Sequence, residues 1–262
     1  MENRQNLHLS INGRIYVNNA NHKTHKTERI VMNTQTKKLF SLIIISFILC
    51  ACSQYKQEMN EQTFWQLMDK AREKSGPDME KRYNTLVNML TAYEPIAILR
   101  FKNIADIYTN AAAENMGMWA VCKIIEGPAC DDVYMNFCCW LVTEGKETYL
   151  NAVKNPETLA TNKIRSYNEH SIEILSFAAF DAYKQKTGKS IDEIPDSMVD
   201  ILSTEYEQLL TTLLKNIEFM DDTPFKGSKI DVMRQIPNLL PQLTTMFGFN
   251  AEKEIQVWEE LP

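Results

Sequence analysis

From residue 61 to the end, apolar positions recur every three or four residues, the period of an amphipathic helix. Thr63-Phe64-Trp65-Gln66-Leu67-Met68 opens a first helix, which Gly76-Pro77 should stop. Asp78 is placed to cap a second, with Tyr83, Leu86, Val87 and Leu90 on its inner face. Pro95 suits the first position of a third, which turns Ile98, Phe101, Ile104 and Tyr108 inward. A fourth carries Met116, Trp119, Ala120 and Ile124 up to Gly127-Pro128. Asp131-Asp132 starts a fifth, carrying Val133, Phe137, Trp140 and Leu141, which ends near Gly145 or continues through Tyr149. Ile164 to Lys186 reads as one long helix and Met198 to Ile217 as another, with a loop at Asp221-Asp222-Thr223-Pro224. A last helical stretch holds Ile230, Met233 and Leu239-Leu240, and Pro237 and Pro241 should interrupt it. No run of alternating β-branched residues argues for a strand. The pattern predicts an all-α single domain, a helical bundle or array over residues 61–262.

Ahead of this domain the pattern changes. Leu39 to Ala51 is apolar for about 13 residues, too short to span a bilayer and the right length for the core of a signal peptide. Lys37-Lys38 supplies the positive flank. Leu49-Cys50-Ala51-Cys52 resembles the bacterial lipobox, with a branched residue three before and a small residue just before the cysteine that takes the lipid. Cys52 fits and Cys50 does not, because Leu49 would then be its immediate neighbour. The reading is a lipoprotein signal over 32–51, cleaved before Cys52, with residues 52–60 as a tether and the lipid as a membrane anchor. A signal begins with a short basic segment, so translation is expected to start at Met32, with residues 1–31 a mis-assigned upstream start. The expected location is the bacterial cell envelope, at the outer membrane in preference to the inner.

Charge narrows the function. The chain has 28 basic and 34 acidic residues; residues 1–51 hold seven and two of them, leaving 21 against 32 and a net charge of −11. Such a surface repels phosphate backbones, which argues against nucleic acid as a partner. Of four histidines only His170 follows the signal, so a multi-histidine metal site is excluded there. No GxSxG, GxGxxG or GxxxxGK[ST] pattern occurs. Cys122, Cys130, Cys138 and Cys139 contain no CxxC pair, so neither a metal nor a cofactor is expected. Cys122 and Cys138 are equidistant from Cys130 in the turn of a helical hairpin. A bridge from Cys122 to Cys138 or Cys139 is geometrically conceivable, with buried free thiols as the alternative.

The stretch from Met118 to Gly145 resembles the bacterial domain of unknown function 4240 family. Phe64-Trp65-Gln66-Leu67 matches that family's N-terminal Phe-Trp-x-Leu segment. Trp119, Gly127, Asp131, Asp132, Phe137, Trp140, Leu141 and Gly145 match its central block, and Asn155-Pro156-Glu157-Thr158-Leu159-Ala160 its Asp-Pro-x-x-Leu turn. The likeness runs from about Asn60 to Lys186. It departs at Ala129-Cys130, where the family has Cys-Ser, and at Cys138, where the family has an arginine. It implies a fold and no activity.

Trp119, Asp131, Asp132, Trp140 and Glu173, the last where the resemblance places a glutamate on the long helix, form the candidate functional cluster. Each has a plainer role to set against that. Acidic residues at a helix start accept backbone N–H groups or favour the dipole, tryptophans beside a turn fill a core, and Glu144, Glu169, Glu173 and Asp181 suit a solvated helix face. His170 alone on a helix suits the surface. The leading expectation is a non-enzymatic, lipid-anchored module that binds a protein partner, with an immunity-type lipoprotein as one version. The alternative is a carboxylate-dependent enzyme or cation-binding protein using Asp131, Asp132 and Glu173.

Overall fold

The structure is a computed structural model that describes residues 7–10, 14–17, 58–127, 130–162, 174–222 and 224–259. The signal segment, the lipidation position Cys52 and the residues Glu169, His170 and Glu173 lie outside the described residues, as does the expected helix start at Ile164. The chain divides into two units, 1–55 and 56–262. In the first, strands β1 (Leu7–Ser10) and β2 (Arg14–Val17) form an antiparallel hairpin, with Leu7 opposite Val17 and Ser10 opposite Arg14. The hairpin lies ahead of residues 61–262, for which the all-α class is expected. Leu-His-Leu-Ser alternates for only four residues, but the Asn12-Gly13 dipeptide between the arms is a strong short-range hairpin signal.

The second unit is all-α, with eleven α-helices among the described residues: α1 (Glu61–Ser75), α2 (Met79–Leu90), α3 (Pro95–Ala113), α4 (Met116–Glu126), α5 (Asp131–Thr143), α6 (Lys146–Lys154), α7 (Ile174–Thr187), α8 (Asp196–Leu214), α9 (Lys229–Leu239), α10 (Pro241–Phe247) and α11 (Ala251–Glu259). The starts follow from local chemistry. Asn60 accepts from the Thr63 N–H at 3.0 Å, Asp78 from Lys81 at 2.9 Å and Asn115 from Met118 at 3.1 Å. Pro95 and Pro241 open α3 and α10. Pro237, expected to interrupt, lies inside α9 instead. Its lost N–H removes one bond near the helix end, and the Leu240 N–H still reaches Ile236 O at 2.8 Å.

α3 is the centre of the domain, and its sequence says why. Ala97, Ile98, Leu99, Phe101, Ile104, Ala105, Ile107, Tyr108 and Ala112 are all buried, so apolar surface wraps most of the helix and must be covered from several sides. α1, α4, α5, α7 and α8 all pack on it. Phe64 and Trp65, the Phe-Trp pair of α1, sit in an aromatic cluster with Phe101, Tyr108 and Tyr149, at centroid separations of 4.7–5.9 Å. The Tyr149 hydroxyl donates to Tyr108 O at 2.7 Å, so burying that hydroxyl leaves it satisfied.

α8 is fastened to α3 by a forked ion pair, Arg100 to Glu205, with both N–H to oxygen distances 2.7 Å. Hydrogen bonds from Arg100 hold the Glu205 carboxyl below its ordinary 4.5. A carboxyl depressed by folding contributes stability that is full above its unfolded value and lost as the pH falls through the folded one. Glu205→Gln is therefore expected to cost about 1 kcal/mol near neutrality. Denaturant midpoints of the two proteins should converge as the pH falls below about 4. A gap that persists in acid would mean the fork contributes through packing rather than charge.

Candidate functional site

Most helices of this domain have one polar face. Of the polar residues on α3, Lys102, Asp106, Thr109 and Asn110 fall at intervals of four, three and one, which places them on one stripe. On α5 the residues Asp132, Met135, Asn136 and Cys139 share a stripe by the same spacing. These two stripes, with Leu175 and Phe180 of α7, line a cleft of about 570 Å³. That is within the range of small-molecule and side-chain pockets. Lys102 forms an ion pair with Asp106, and its ammonium lies 5.5 Å from the centroid of the Phe180 ring. Asp132 makes no hydrogen bond or ion pair among the described residues. Among the described lining residues, Asp132 is the carboxylate that has no ion-pair partner among them.

The expected cluster is thereby divided. Asp131 and Asp132 are adjacent on a helix and point about 100° apart. Both are exposed; Asp132 lines the cleft, whereas Asp131 acts on the buried Lys123 of α4. Burial lowers the Lys123 ammonium, and the nearby Asp131 and Glu254 carboxylates partly restore it. The two aspartates occupy the first turn of α5, but Cys130 is the cap residue and no side-chain capping bond forms there. Their structural role is confined to the helix dipole.

Trp119 is half-buried with the Lys123 ammonium 5.5 Å over its ring, and Trp140 packs on Phe137 at 5.5 Å. Both belong to the margin of the core. Glu173 lies outside the described residues. Sequence reasoning missed Lys102, Asp106, Asn110 and Asn136. The polar stripe on α3 was the signal that would have found them.

Cys122, Cys138 and Cys139 are buried free thiols, and Cys130 is exposed and free. The conceived bridge from Cys122 to Cys138 or Cys139 is not formed; packed helix axes lie roughly 8–10 Å apart, whereas a disulfide wants Cα atoms nearer 6 Å. Desolvation pushes the Cys122 thiol up to about 12 and the Cys138 thiol higher still, and the nearby Cys122 raises Cys138 further. Thiols held protonated in this way are inert. In a chain begun at Ser53, which lacks Cys50 and Cys52, the native protein should displace one equivalent of thiolate from a disulfide reagent, through Cys130. The denatured protein should displace four. Fewer than four after unreduced denaturation would show a disulfide in the folded protein.

Cys138, where the resembling family keeps an arginine, is fully buried beside Tyr134. The Tyr134 hydroxyl donates to Ala113 O at 2.9 Å at the end of α3. No guanidinium reaches Asp132 from this position.

Residues 59–185 match the model of a family described as protein of unknown function (DUF4240). No curated protein and no solved structure matches the chain. The match takes in α1 to α6 and nearly all of α7, hence every residue lining the cleft. α8 to α11 lie beyond it.

Proposed function

We propose, for a chain whose residues 59–185 belong to this family of unknown function, a lipid-anchored binding module of the bacterial cell envelope. Lipid on Cys52 holds it, at the outer membrane in preference to the inner, and the domain captures a protein partner, an incoming toxin being one version. The observation that carries this reading is the cleft between α3, α5 and α7, with Asp132, which has no ion-pair partner among the described residues, in its wall. The net charge of −11 over residues 52–262 supports it, since an acidic binder draws a basic partner rapidly. The competing reading is a carboxylate-dependent enzyme or cation-binding protein using Asp131, Asp132 and Glu173. The divergence of Asp131 from Asp132 weighs against those two working on one group, and Glu173 lies outside the described residues.

The test is a pull-down from detergent-solubilised membranes with the full lipidated chain, read by mass spectrometry of bait and prey. A bait beginning at triacylated Cys52 should bring down one stoichiometric protein. That protein should be lost with Asp132→Arg and kept with Glu207→Lys on the exposed face of α8. A bait with unmodified Cys52, or one still carrying Met1, would overturn the anchoring. Absence of any stoichiometric prey would return the enzyme reading to the front.

A further inference from the structure

A second, smaller cavity of about 250 Å³ adjoins the cleft. Its walls are mainly apolar, with Leu99 of α3, Ile191 and Ile194 of the turn after α7, and Val199 and Leu202 of α8. Lys102 and Phe180 line both cavities, so one ammonium and one ring form the partition between a polar space and an apolar one. Ile191 and Val199 are 39 % and 45 % exposed, which leaves the apolar cavity open at the surface. On the polar side, Asp132 has no counter-ion among the described residues, while Met135, Leu175 and Phe180 offer apolar wall for a stem.

We infer that these joined cavities receive a short basic-apolar segment of a partner protein, its lysine or arginine entering the polar cleft toward Asp132 and a flanking aliphatic side chain entering the apolar cavity beyond Phe180. This rests on the binding reading above and names the chemistry of its ligand. Three matches support it. One cation would pair with Asp132, which has no ion-pair partner among the described residues. A cationic side chain is an aliphatic stem with a polar tip, which is the composition of the cleft wall. The combined space is that of a few side chains rather than one. A ligand with a carboxylate or phosphate would meet Asp132 and the acidic surface unfavourably.

The probe is butylguanidinium chloride, titrated at constant ionic strength into the full lipidated chain in detergent micelles. Methionine methyl groups carry ¹³C, and Met135 is the reporter of the polar cleft. The Met135 methyl resonance should shift and saturate at millimolar probe. Asp132→Asn should weaken the apparent Kd by about threefold to fivefold, the size of a partly exposed ion pair, and Glu207→Gln should not. Butyrate, with the same stem and the opposite charge, should leave Met135 unmoved. In the apolar cavity, Leu202→Asp should lower capture of the partner without altering the butylguanidinium affinity.

An unmoved Met135, or a response equal for butyrate or unchanged in Asp132→Asn, overturns the inference. In that case a prey still captured independently of Asp132 leaves the binding function standing. A normal probe response with no captured protein overturns the protein source, and the ligand is then a free amphipathic cation.

Discussion

Arg82→Ala should destabilise the domain by about 3–5 kcal/mol, the cost of removing one member of a buried charge network. Arg82 is only 2 % exposed. Its guanidinium donates to Gly76 O at 2.7 Å, to Thr143 O and Oγ1 at 3.2 and 3.0 Å, to Ser75 Oγ at 3.3 Å and to Glu144 Oε1 at 2.7 Å. One side chain thus satisfies carbonyls at the C-terminal ends of both α1 and α5, where the helix dipole is negative. Alanine leaves those carbonyls unpartnered and Glu144 without its counter-ion.

Lysine should restore little, because a single ammonium lacks the forked donors that reach two chain segments at once. Thermal unfolding should show the transition lowered by roughly 10 °C in Arg82→Ala, with Arg82→Lys much closer to alanine than to wild type. A loss below about 1 kcal/mol would mean that water replaces the guanidinium and that the network is peripheral.

Gly145→Ala is the second large effect. Gly145 links α5 to α6 with φ 91° and ψ 165°, a region only glycine enters without strain. A β-carbon there would fall inside contact distance of Asp69 Oδ1 and lie 3.2 Å from Arg72 Cζ. Arg72 also donates to Glu144 O, so relief of the clash disturbs that bond. Strain of about 1–3 kcal/mol is expected from the backbone alone, with the clash in addition.

Gly248→Ala is the control. Gly248 follows α10 in the left-handed region with open space around it, so it carries only the conformational cost of about 1–2 kcal/mol. Equal losses at the two positions in urea unfolding would remove the steric part of the argument. The match of Gly145 to the family block then has a physical meaning: the α5–α6 turn must fold tightly under the Arg72 side chain.

Helix existence was legible for most of the domain, though the sequence pattern leaves α6 as an alternative continuation of α5 and α11 was not read. Asn60, Asp78 and Asn115 cap, Pro95 and Pro241 open, and Gly76, Gly127 and Gly145 terminate, because these acts need only the residue and its next four neighbours. The central place of α3 was also in the text, since a helix apolar on nearly every side has to be enclosed. Pro237 was misread because a proline near a helix end forfeits little. The hairpin at 7–17 was missed because each arm is four residues long, too short for alternation to stand out.

The candidate site was half legible. Asp132 was named for its place in a motif, yet motif order set it beside Asp131, and helix geometry sends the two to different neighbours. Lys102 and Asp106 were hidden in a helix read only for its apolar face. Arg82 stood in a charged run, Glu80-Lys81-Arg82, that reads as solvated surface.

By itself the sequence determined the all-α class, most of the boundaries of the first five helices, the likeness to a family and the sign of the surface charge. Each follows from local backbone chemistry or from composition. Tertiary structure alone decided which charges are buried, which thiols are inert and which polar stripes face each other across a cleft. Those outcomes depend on how α1, α3, α5 and α7 are rotated about their axes in the packed domain, and such rotations are fixed by contacts between residues far apart in the chain.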